Sequence, residues 1–473
     1  MPLSNPLFET FEPRRLLAAS PVMPESLGKA FDRTERAELL QRMPNLPAGT
    51  YAALNKRLKL NKVGAFDDIL LSYSRQRKSG QFYFDDSHAK PISDFVVETE
   101  SLSTDRIIGH ARSIVKRRFP SQSSVSEYDV RLPSNINWNN PDPSGELGVE
   151  FLHAMHRHDW WDELAQAYRY TGDAVFGQEL MHQLADWSGE NPTSQAPANW
   201  IVRDQKAWWF DTAIRTDQWM WSYFMMLDSE AWTPASNSLL LYKLAQQGDV
   251  MEAILPDVVD YRSNKTVALG RSLMAMGIVF PEFDQAAIWA SAGRGVMFNA
   301  MDSQLYADGS HVEQSPGYAV LILEDLLEAR LLDAINGVEW PARNIKKLNR
   351  GINALWQQMS PNLHRPAIGD TYRIPSPEIF LRASLIQETT IWPRGRPELR
   401  DLWLFGPDKV GRYVNEPGFP HIGHRGGYAS LLDSGNHIMR SGNDPYSRQI
   451  HFDAGPTGGG HGHFDLLGIE LFG

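Results

Sequence analysis

Helical periodicity over most of the chain is the feature that most limits its fold. From about residue 30 to about residue 400, apolar residues recur at spacings of three and four, which is typical of helices that bury one face. The clearest case is residues 160–192, where a Thr-Gly-Asp break at 171–173 separates two such stretches and Asn-Pro at 191–192 ends the second. This segment predicts a helical hairpin.

The same pattern continues downstream. Residues 276–309 predict a second pair of helices, and residues 315–334 predict another helix. Tetratricopeptide scaffolds are also built from helical hairpins, but the pattern does not recur at their period of about 34 residues. Stacked hairpins without a strict repeat favour an incomplete α/α toroid over residues 31–400, and a binding scaffold is the alternative.

The sequence changes character after about residue 400. Residues 426–456 contain short apolar runs separated by Ser-Gly-Asn, Gly-Asn-Asp-Pro and Ala-Gly-Pro, which is typical of strands and turns. LLGIELFG, residues 466–473, predicts another strand. Because a few strands do not form a stable sandwich alone, residues 401–473 are expected to be the start of an antiparallel β-sandwich in a longer protein. The predicted fold class is therefore α+β with several domains.

Length, charge and composition narrow the classes of partner. A chain of 473 residues exceeds one ordinary core, and a net charge of −11 argues against nucleic acid. There is no run of about 18 apolar residues, so no transmembrane helix and no membrane partner are predicted. The chain has no cysteine, which excludes disulfides and cysteine-ligated metals.

The first 30 residues have the features of a leader. FEPRRLLAAS, residues 11–20, resembles the LEPRxLL-type motif near the start of many exported bacterial proteins. Its apolar stretch is too short for a standard signal peptide. We expect a bacterial protein exported to the periplasm or beyond, with an ordinary disordered leader as the alternative.

The first candidate site is a group of histidine and arginine side chains beside two tryptophans. His156, Arg157 and His158 precede Trp160 and Trp161, with Asp159 between the two groups. Arginine can bind a carboxylate or sulfate with two hydrogen bonds, and an indole can stack on a sugar ring. The group therefore suits an anionic sugar, and a structural role is the alternative.

Two further candidates lie at predicted helix starts. Asn264 and Lys265 precede an apolar helix, where asparagine is also a common N-cap. Glu313 comes five residues before Tyr318, and Gly317 leaves space beside that ring. A tyrosine at this position serves packing more often than catalysis, so both readings stay open.

The fourth candidate is the glycine-rich segment 451–473. His461 and His463 are expected on one side of an extended stretch, with Asp453 and Asp465 nearby. Zinc takes three or four ligands, and no complete set is visible. One histidine for chemistry and one for a structural metal ion is the alternative to a metal pair.

Taken in order, these features resemble the heparinase II/III-like polysaccharide lyases, and the heparinase III branch most of all. Alginate-type lyases share the architecture. The similarity extends over about residues 60–473. The motifs that carry it, besides the candidate sites, are AYRYTGD (167–173), DWSGENP (186–192), AIRTDQWMW (213–221), GIVFPEF (277–283), IGDTY (368–372) and GHGHFDLL (460–467).

The resemblance implies an α/α toroid joined to a β-sandwich, with an acidic polysaccharide bound between them and cleaved by β-elimination. The proton at C5 of a uronic acid is removed, the bond from C4 to O4 breaks, and an unsaturated sugar remains. Such chemistry needs a group that neutralises the carboxylate as the enolate develops. It also needs a base at C5 and an acid at O4.

Residue roles follow from the same resemblance. Asn264 would bind the uronate carboxylate, Tyr318 would act as acid, base or both, and His461 would be the second acid or base. His463 matches a metal-binding position, which implies a structural zinc or calcium ion. Arg157, Arg215 and His158 are expected to lower the pKa of Tyr318. The full set of implied substrate contacts is His156, Arg157, His158, Arg215, Trp219, Lys265 and Glu313, of which Glu313 is expected to orient its neighbours.

Two departures leave the glycan open. Lys265 and Ala319 stand where many relatives carry histidine, so both heparan-sulfate-like and alginate-like substrates are kept.

Two alternative functions also stay open. A toroid-fold hydrolase of unsaturated uronides would need two carboxylic acids flanking the bond, and no such pair stands out. The other alternative is a glycan-binding protein without catalytic activity.

Overall fold

The computed structural model describes residues 31–121, 128–191, 208–416, 427–442, 444–463 and 466–473. The predicted leader, its export motif and Asp465 lie outside these residues. Helices and strands are numbered below in chain order. None of the helices in the described part of the chain is long and apolar enough to cross a membrane.

Helices dominate from residue 33 to residue 415, a region called the helical body from here on. They are α1 (Arg33–Arg42), α2 (Ala48–Lys59), α3 (Val63–Gln76), α4 (Asp86–Thr99), α5 (Ser101–Val115), α6 (Gly148–Arg157), α7 (Trp161–Thr171), α8 (Ala174–Glu190), α9 (Trp208–Met226), α10 (Pro234–Val258), α11 (Asn264–Val279), α12 (Ala286–Ser303), α13 (Pro316–Ile335), α14 (Ala342–Gln358), α15 (Glu378–Gln387), α16 (Leu399–Phe405) and α17 (Pro407–Asn415). A small antiparallel pair, β1 (Arg118–Pro120) and β2 (Tyr128–Arg131), follows α5.

The predicted hairpin at 160–192 is confirmed as α7 and α8. Gly172 ends α7 with a left-handed φ of 68°, a conformation that glycine adopts at little cost. Asp173 then caps α8 by accepting a hydrogen bond of 3.1 Å from the amide of Val175. The helix predicted over 315–334 is also confirmed, as α13.

Buried ion pairs link the inner helices to the last helices of the helical body. Arg271 on α11 lies 2.7 Å from Asp217 on α9 and 2.7 Å from Asp325 on α13. Arg400 on α16 donates to Glu328 on α13 at 2.7 Å. Burial alone would raise the pKa of Glu328, but Arg400 and Arg271 hold it at about 2. These side chains form one charge network through the described core.

Helices extend beyond the predicted domain boundary. That boundary was expected at about residue 400, but α16 and α17 extend the helical body to Asn415. The strands then follow as β3 (Gly427–Leu431), β4 (Asn436–Arg440), β5 (Gln449–Asp453) and β6 (Gly468–Phe472). They form an antiparallel sheet in the order β3-β4-β5-β6, as the strand and turn signals predicted, and the class α+β is confirmed.

The sheet has one packed face and one open apolar face. Leu431 and Ile438 pack against Ala354 on α14. On the opposite face a row of paired residues crosses all four strands, and each of them is exposed: Tyr428, Met439, Ile450 and Leu471.

Candidate active site

Tyr318 lies in the first turn of α13, at the junction with the glycine-rich segment. Its ring stacks on the imidazole of His461 with a centroid distance of 3.5 Å and an angle of 13° between planes. Tyr318 is half-buried. The structure therefore brings together two of the three residues to which the resemblance assigns proton transfer or carboxylate binding.

A side chain from a distant loop fixes the start of α13. The Oγ1 atom of Thr371 accepts a hydrogen bond of 2.9 Å from the amide of Gly317 and lies 2.8 Å from the hydroxyl of Ser315. The first amides of a helix lack partners within the helix, so Thr371 supplies the missing acceptor. The backbone that carries Tyr318 is held in place by this contact.

The pKa of Tyr318 is raised, not lowered. Burial is the largest cause, and the carboxylates of Asp370 and Glu313 add to it. The predicted lowering by Arg157, Arg215 and His158 is therefore wrong, because carboxylates and not cations lie nearest to the phenol. Tyr318 keeps its proton at neutral pH.

Both histidines of the glycine-rich segment bind the same carboxylate. Asp370 accepts from His461 Nδ1 at 3.0 Å through Oδ2, and its Oδ1 lies 2.6 Å from His463 Nε2. These hydrogen bonds lower the pKa of Asp370. Within this segment, the stretch that carries His461 is a turn and not the predicted extended stretch, since the amide of Gly462 bonds to the carbonyl of Gly459 at 3.2 Å.

Glycine is required where this turn meets the helical body. A Cβ atom on Gly458 would lie 2.5 Å from the carbonyl oxygen of Glu313, and Gly458 has a left-handed φ of 83°. Other residues rarely adopt this conformation. Because Gly458 and Gly459 have no side chains, the turn that carries His461 can lie directly on Glu313.

Asn264 is the first residue of α11 and not its N-cap. Ser263 occupies the cap position, so the capping interpretation of Asn264 is wrong. The side chain of Asn264 is buried, and within the described residues its Oδ1 atom has no hydrogen-bond partner. A buried polar atom without a partner costs free energy, which a bound ligand could recover.

Lys265 and Arg157 meet at one aromatic ring. The Lys265 ammonium lies 5.9 Å from the ring centroid of Phe210, and the Arg157 guanidinium lies 5.1 Å from it. Arg157 also donates to Asp211 at 2.8 Å, and Asp211 holds His153 at 2.6 Å. Two cations from separate elements are thus placed beside the candidate site.

Glu313 is buried near Lys265, and its pKa is raised to about 7. Burial raises it, and the positive charge of Lys265 opposes the shift. In the described part of the structure its Oε2 atom has no hydrogen-bond partner and lies 3.9 Å from His311 Nδ1. Near neutral pH this carboxyl therefore exists in both protonation states.

Replacing Glu313 by glutamine is expected to change how stability depends on pH. The folded protein binds more protons at Glu313 than the unfolded chain between about pH 4.5 and about pH 7. The free energy of unfolding must fall as pH rises through this range. We expect the variant to lose that fall, with a difference on the order of 2 kcal/mol by pH 8. Denaturant unfolding of both proteins across pH measures it, and parallel curves would contradict the raised pKa.

The remaining predicted substrate contacts lie in an aromatic core. His158 and Trp219 are fully buried, and the indole of Trp219 donates to His158 Nδ1 at 3.0 Å. Arg215 is buried against the rings of Trp187 and Trp219 and donates to the carbonyl of His156 at 2.6 Å. The side chains of His156, His158, Arg215 and Trp219 are all buried, which argues against direct contact with a sugar and for a role in the core.

Residues 48–395 match the family model described as Heparinase II/III N-terminus, which covers most of the chain.

The chain belongs to the heparinase II/III family.

Individual relatives of this heparinase II/III protein are distant. A heparin-sulfate lyase of Pedobacter heparinus is 25% identical over 429 residues, covering 89% of this chain and 60% of that protein. A heparin-sulfate lyase of Bacteroides thetaiotaomicron is 26% identical over 277 residues, covering 57% of this chain and 36% of that protein. The chain thus spans less than two thirds of the length of these relatives.

Solved structures share the fold. The crystal structure of heparan sulfate lyase HepC from Pedobacter heparinus has a TM-score of 0.60 at 21% identity, covering 93% of this chain and 64% of that one. A crystal structure of heparinase III has a TM-score of 0.64 at 17% identity, covering 92% and 65%. At such identities the similarity establishes the fold of this heparinase II/III protein and nothing more.

The metal prediction finds no support in the donors that the structure describes. His463 is engaged with Asp370, and Asp453 instead accepts from the amide of Gly455 at 2.9 Å. The described residues contain no group of three or more histidine, aspartate or glutamate side chains placed to hold a metal ion. A structural zinc or calcium ion at His463 stays a prediction, and no chemical step is assigned to it.

Two acidic residues of the site were missed from the sequence. Asp370 lies in IGDTY, a motif already noted for its family resemblance, and its spacing from His461 gives no sign of contact. Asp211 directly follows Phe210, whose ring lies near both Lys265 and Arg157. Both were overlooked because a single aspartate in a loop or at a helix start carries no pattern.

Proposed function

We propose that this protein is a polysaccharide lyase that cleaves a uronate-containing glycan by β-elimination, with heparan sulfate as the favoured substrate and alginate as the alternative. The observation that carries the proposal is the stacked pair of Tyr318 and His461, because two proton-transfer groups stand side by side in contact. The relatives from Pedobacter heparinus and Bacteroides thetaiotaomicron are heparin-sulfate lyases, which supports the same reaction.

The raised pKa of Tyr318 favours it as the acid. In this mechanism His461 takes the C5 proton, the electron pair of that bond forms the double bond to C4, and the bond from C4 to O4 breaks. Tyr318 gives its proton to the leaving O4. The two rings are stacked on each other, which favours transfer of both protons at one face of the sugar ring.

Neutralisation of the uronate carboxylate is assigned to Asn264, with Lys265 beside it. The amide of Asn264 can donate to a carboxylate, and the ammonium of Lys265 adds positive charge where negative charge develops. Arg157 meets the same Phe210 ring as Lys265. This second cation is suited to a sulfate or carboxylate on the same or a neighbouring sugar.

The finer architecture is part of the proposal. We infer that the helical body is an incomplete α/α toroid and that the four-stranded sheet is half of a β-sandwich. The exposed row formed by Tyr428, Met439, Ile450 and Leu471 supports the second inference, because an apolar sheet face is normally covered by another layer. Export from a bacterial cell is proposed on the motif at residues 11–20.

The deciding experiment is a glycan panel followed by ultraviolet absorbance of the conjugated unsaturated uronate. Heparan sulfate, heparin, hyaluronan, chondroitin sulfate, alginate and ulvan would be incubated with the protein and with a Tyr318→Phe variant. A rise on one glycan that the variant lacks supports elimination and names the substrate. New reducing ends without absorbance would overturn it in favour of hydrolysis, and binding without either would favour a glycan-binding protein.

Tyr372 offers a test of substrate contact outside the reacting atoms. Its side chain is 84% exposed, two residues from Asp370, and it adds to the raised pKa of Tyr318. We expect Tyr372→Ala to raise KM by about 10-fold with little change in kcat, because a rigid aromatic surface for a sugar ring is lost. Steady-state elimination kinetics measure both constants.

The matched control is Tyr446→Ala. Tyr446 is 89% exposed and lies on the turn between β4 and β5. Tyr446→Ala therefore removes the same side chain at a position away from Tyr318. Equal effects of the two substitutions, or an unchanged KM for Tyr372→Ala, would show that Tyr372 does not contact the substrate.

A further inference from the structure

Asp370 connects the two halves of the candidate site. Its carboxylate bonds to His461 through one oxygen and to His463 through the other. Its backbone amide also donates to the carbonyl of His461 at 2.9 Å. A Cβ atom on the preceding Gly369 would lie 2.6 Å from that same carbonyl. The loop that carries Asp370 and the turn that carries both histidines are therefore closely fitted.

The same loop is attached to the helix that carries Tyr318. Thr371, the neighbour of Asp370, accepts from the amide of Gly317 and contacts the hydroxyl of Ser315. Residues 369–371 thus hold the imidazole of His461 from one side and the start of α13 from the other. This loop therefore contacts both elements that carry the stacked rings of Tyr318 and His461.

The proton on His461 follows from the chemistry of its partner. Each oxygen of the Asp370 carboxylate faces a ring nitrogen, and an ionised carboxylate only accepts hydrogen bonds. The Nδ1 atom of His461 must therefore carry the proton in this bond. In the neutral ring Nε2 is then the free base. A lone imidazole in water would populate both tautomers, and only one of them leaves Nε2 able to take a proton.

From this geometry we infer that Asp370 is a positioning residue for the elimination, which fixes the tautomer and ring orientation of His461. The inference rests on the proposed function and deepens it, since Asp370 acts through His461 and not on the substrate.

Asp370→Asn is the informative substitution. An amide keeps the shape but offers one oxygen and one NH2 group, so it can no longer accept from both rings. Loss of a carboxylate that orients a catalytic histidine costs between about 10-fold and about 10⁴-fold in rate in other enzymes. We expect kcat for elimination to fall at least about 10-fold, with KM within about threefold, and Asp370→Ala to fall as far.

Two controls separate positioning from general damage. Asp444 is an exposed aspartate that caps a turn by accepting from the amide of Tyr446 at 2.9 Å, and Asp444→Asn should leave both constants unchanged. Asp370→Glu keeps an acceptor-only carboxylate and should recover part of the lost rate. A native kcat in Asp370→Asn, together with no recovered rate in Asp370→Glu, would overturn the inference.

A measurement independent of activity completes the test. Imidazole nitrogen NMR of histidine-labelled protein reports which ring nitrogen is protonated. We expect His461, assigned with a His461→Gln variant, to be protonated at Nδ1 in the native protein and to become a mixture in Asp370→Asn. Protonation at Nε2 in the native protein would overturn the inference even if the glycan assay succeeds. If no glycan is eliminated, the proposed function fails, while this spectrum still decides what Asp370 does.

Discussion

Tyr318→Phe is expected to lower kcat for elimination by about 10²- to 10⁴-fold, the range typical of a lost general acid. Phenylalanine preserves the ring that stacks on His461 and removes only the hydroxyl that would protonate O4. KM should change little, because the substrate contacts proposed for Asn264 and Lys265 remain. Steady-state absorbance kinetics on the glycan that the panel selects give both constants.

The control for this substitution is Tyr446→Phe, which removes the same hydroxyl from an exposed turn. It should leave kcat unchanged. The thermal unfolding midpoint of Tyr318→Phe should match that of the native protein, so that a lost rate reports chemistry. A Tyr318→Phe protein with native kcat would end the assignment of Tyr318 as the acid and leave His461 to supply both proton transfers.

Arg271→Leu is expected to reduce the free energy of unfolding by about 3–5 kcal/mol, the usual cost of removing one partner from a buried ion pair. Asp217 and Asp325 would lose their closest positive charge, and Glu328 would keep only Arg400 among its nearest partners. Leucine fills part of the volume, so the loss is mainly electrostatic. Denaturant unfolding monitored by circular dichroism provides the measurement.

Arg412→Leu makes the same change at an exposed position on α17. Its effect should stay within about 0.5 kcal/mol, as for most surface substitutions. A loss below about 1 kcal/mol for Arg271→Leu would mean that the buried carboxylates become protonated at little cost. Repeating the measurement at low pH would then show equal stabilities for the two proteins.

The helical body could be predicted well because its signals are local. The spacing of apolar residues around the Thr-Gly-Asp break fixed the hairpin of α7 and α8, and glycine with aspartate marked where one helix ended and the next began. The end of the helical region was placed too early, because proline and glycine lie near the ends of the short helices α16 and α17. Such residues resemble turn signals in the sequence.

The aromatic cluster shows where local patterns fail. Tryptophan beside arginine and histidine suits a sugar-binding surface and a polar core equally well, and only packing distinguishes them. Trp219 donates to His158, and Arg215 lies over two indoles, so the polar groups serve the core itself. The raised pKa of Tyr318 has the same origin, since it depends on which charges tertiary structure brings near.

Site residues were found where the family motifs carry them, and missed where the contact is long-range. Tyr318 and His461 came from the resemblance, and their stacking supports the pairing. Asp370 is 91 residues from His461 along the chain. No periodicity or spacing in a single sequence reports a contact over that distance.

Gly458 and Gly459 fit closely over Glu313, so this contact joins two segments that are far apart in the chain. The Tyr318 ring belongs to a helix and the His461 ring to a turn far along the chain, so loop closure must bring them together after local structure has formed. A molecule with complete helices and an undocked sheet would have a nearly native far-ultraviolet spectrum and no assembled pair of rings. Catalytic turnover would then be the signal that reports the last step of folding.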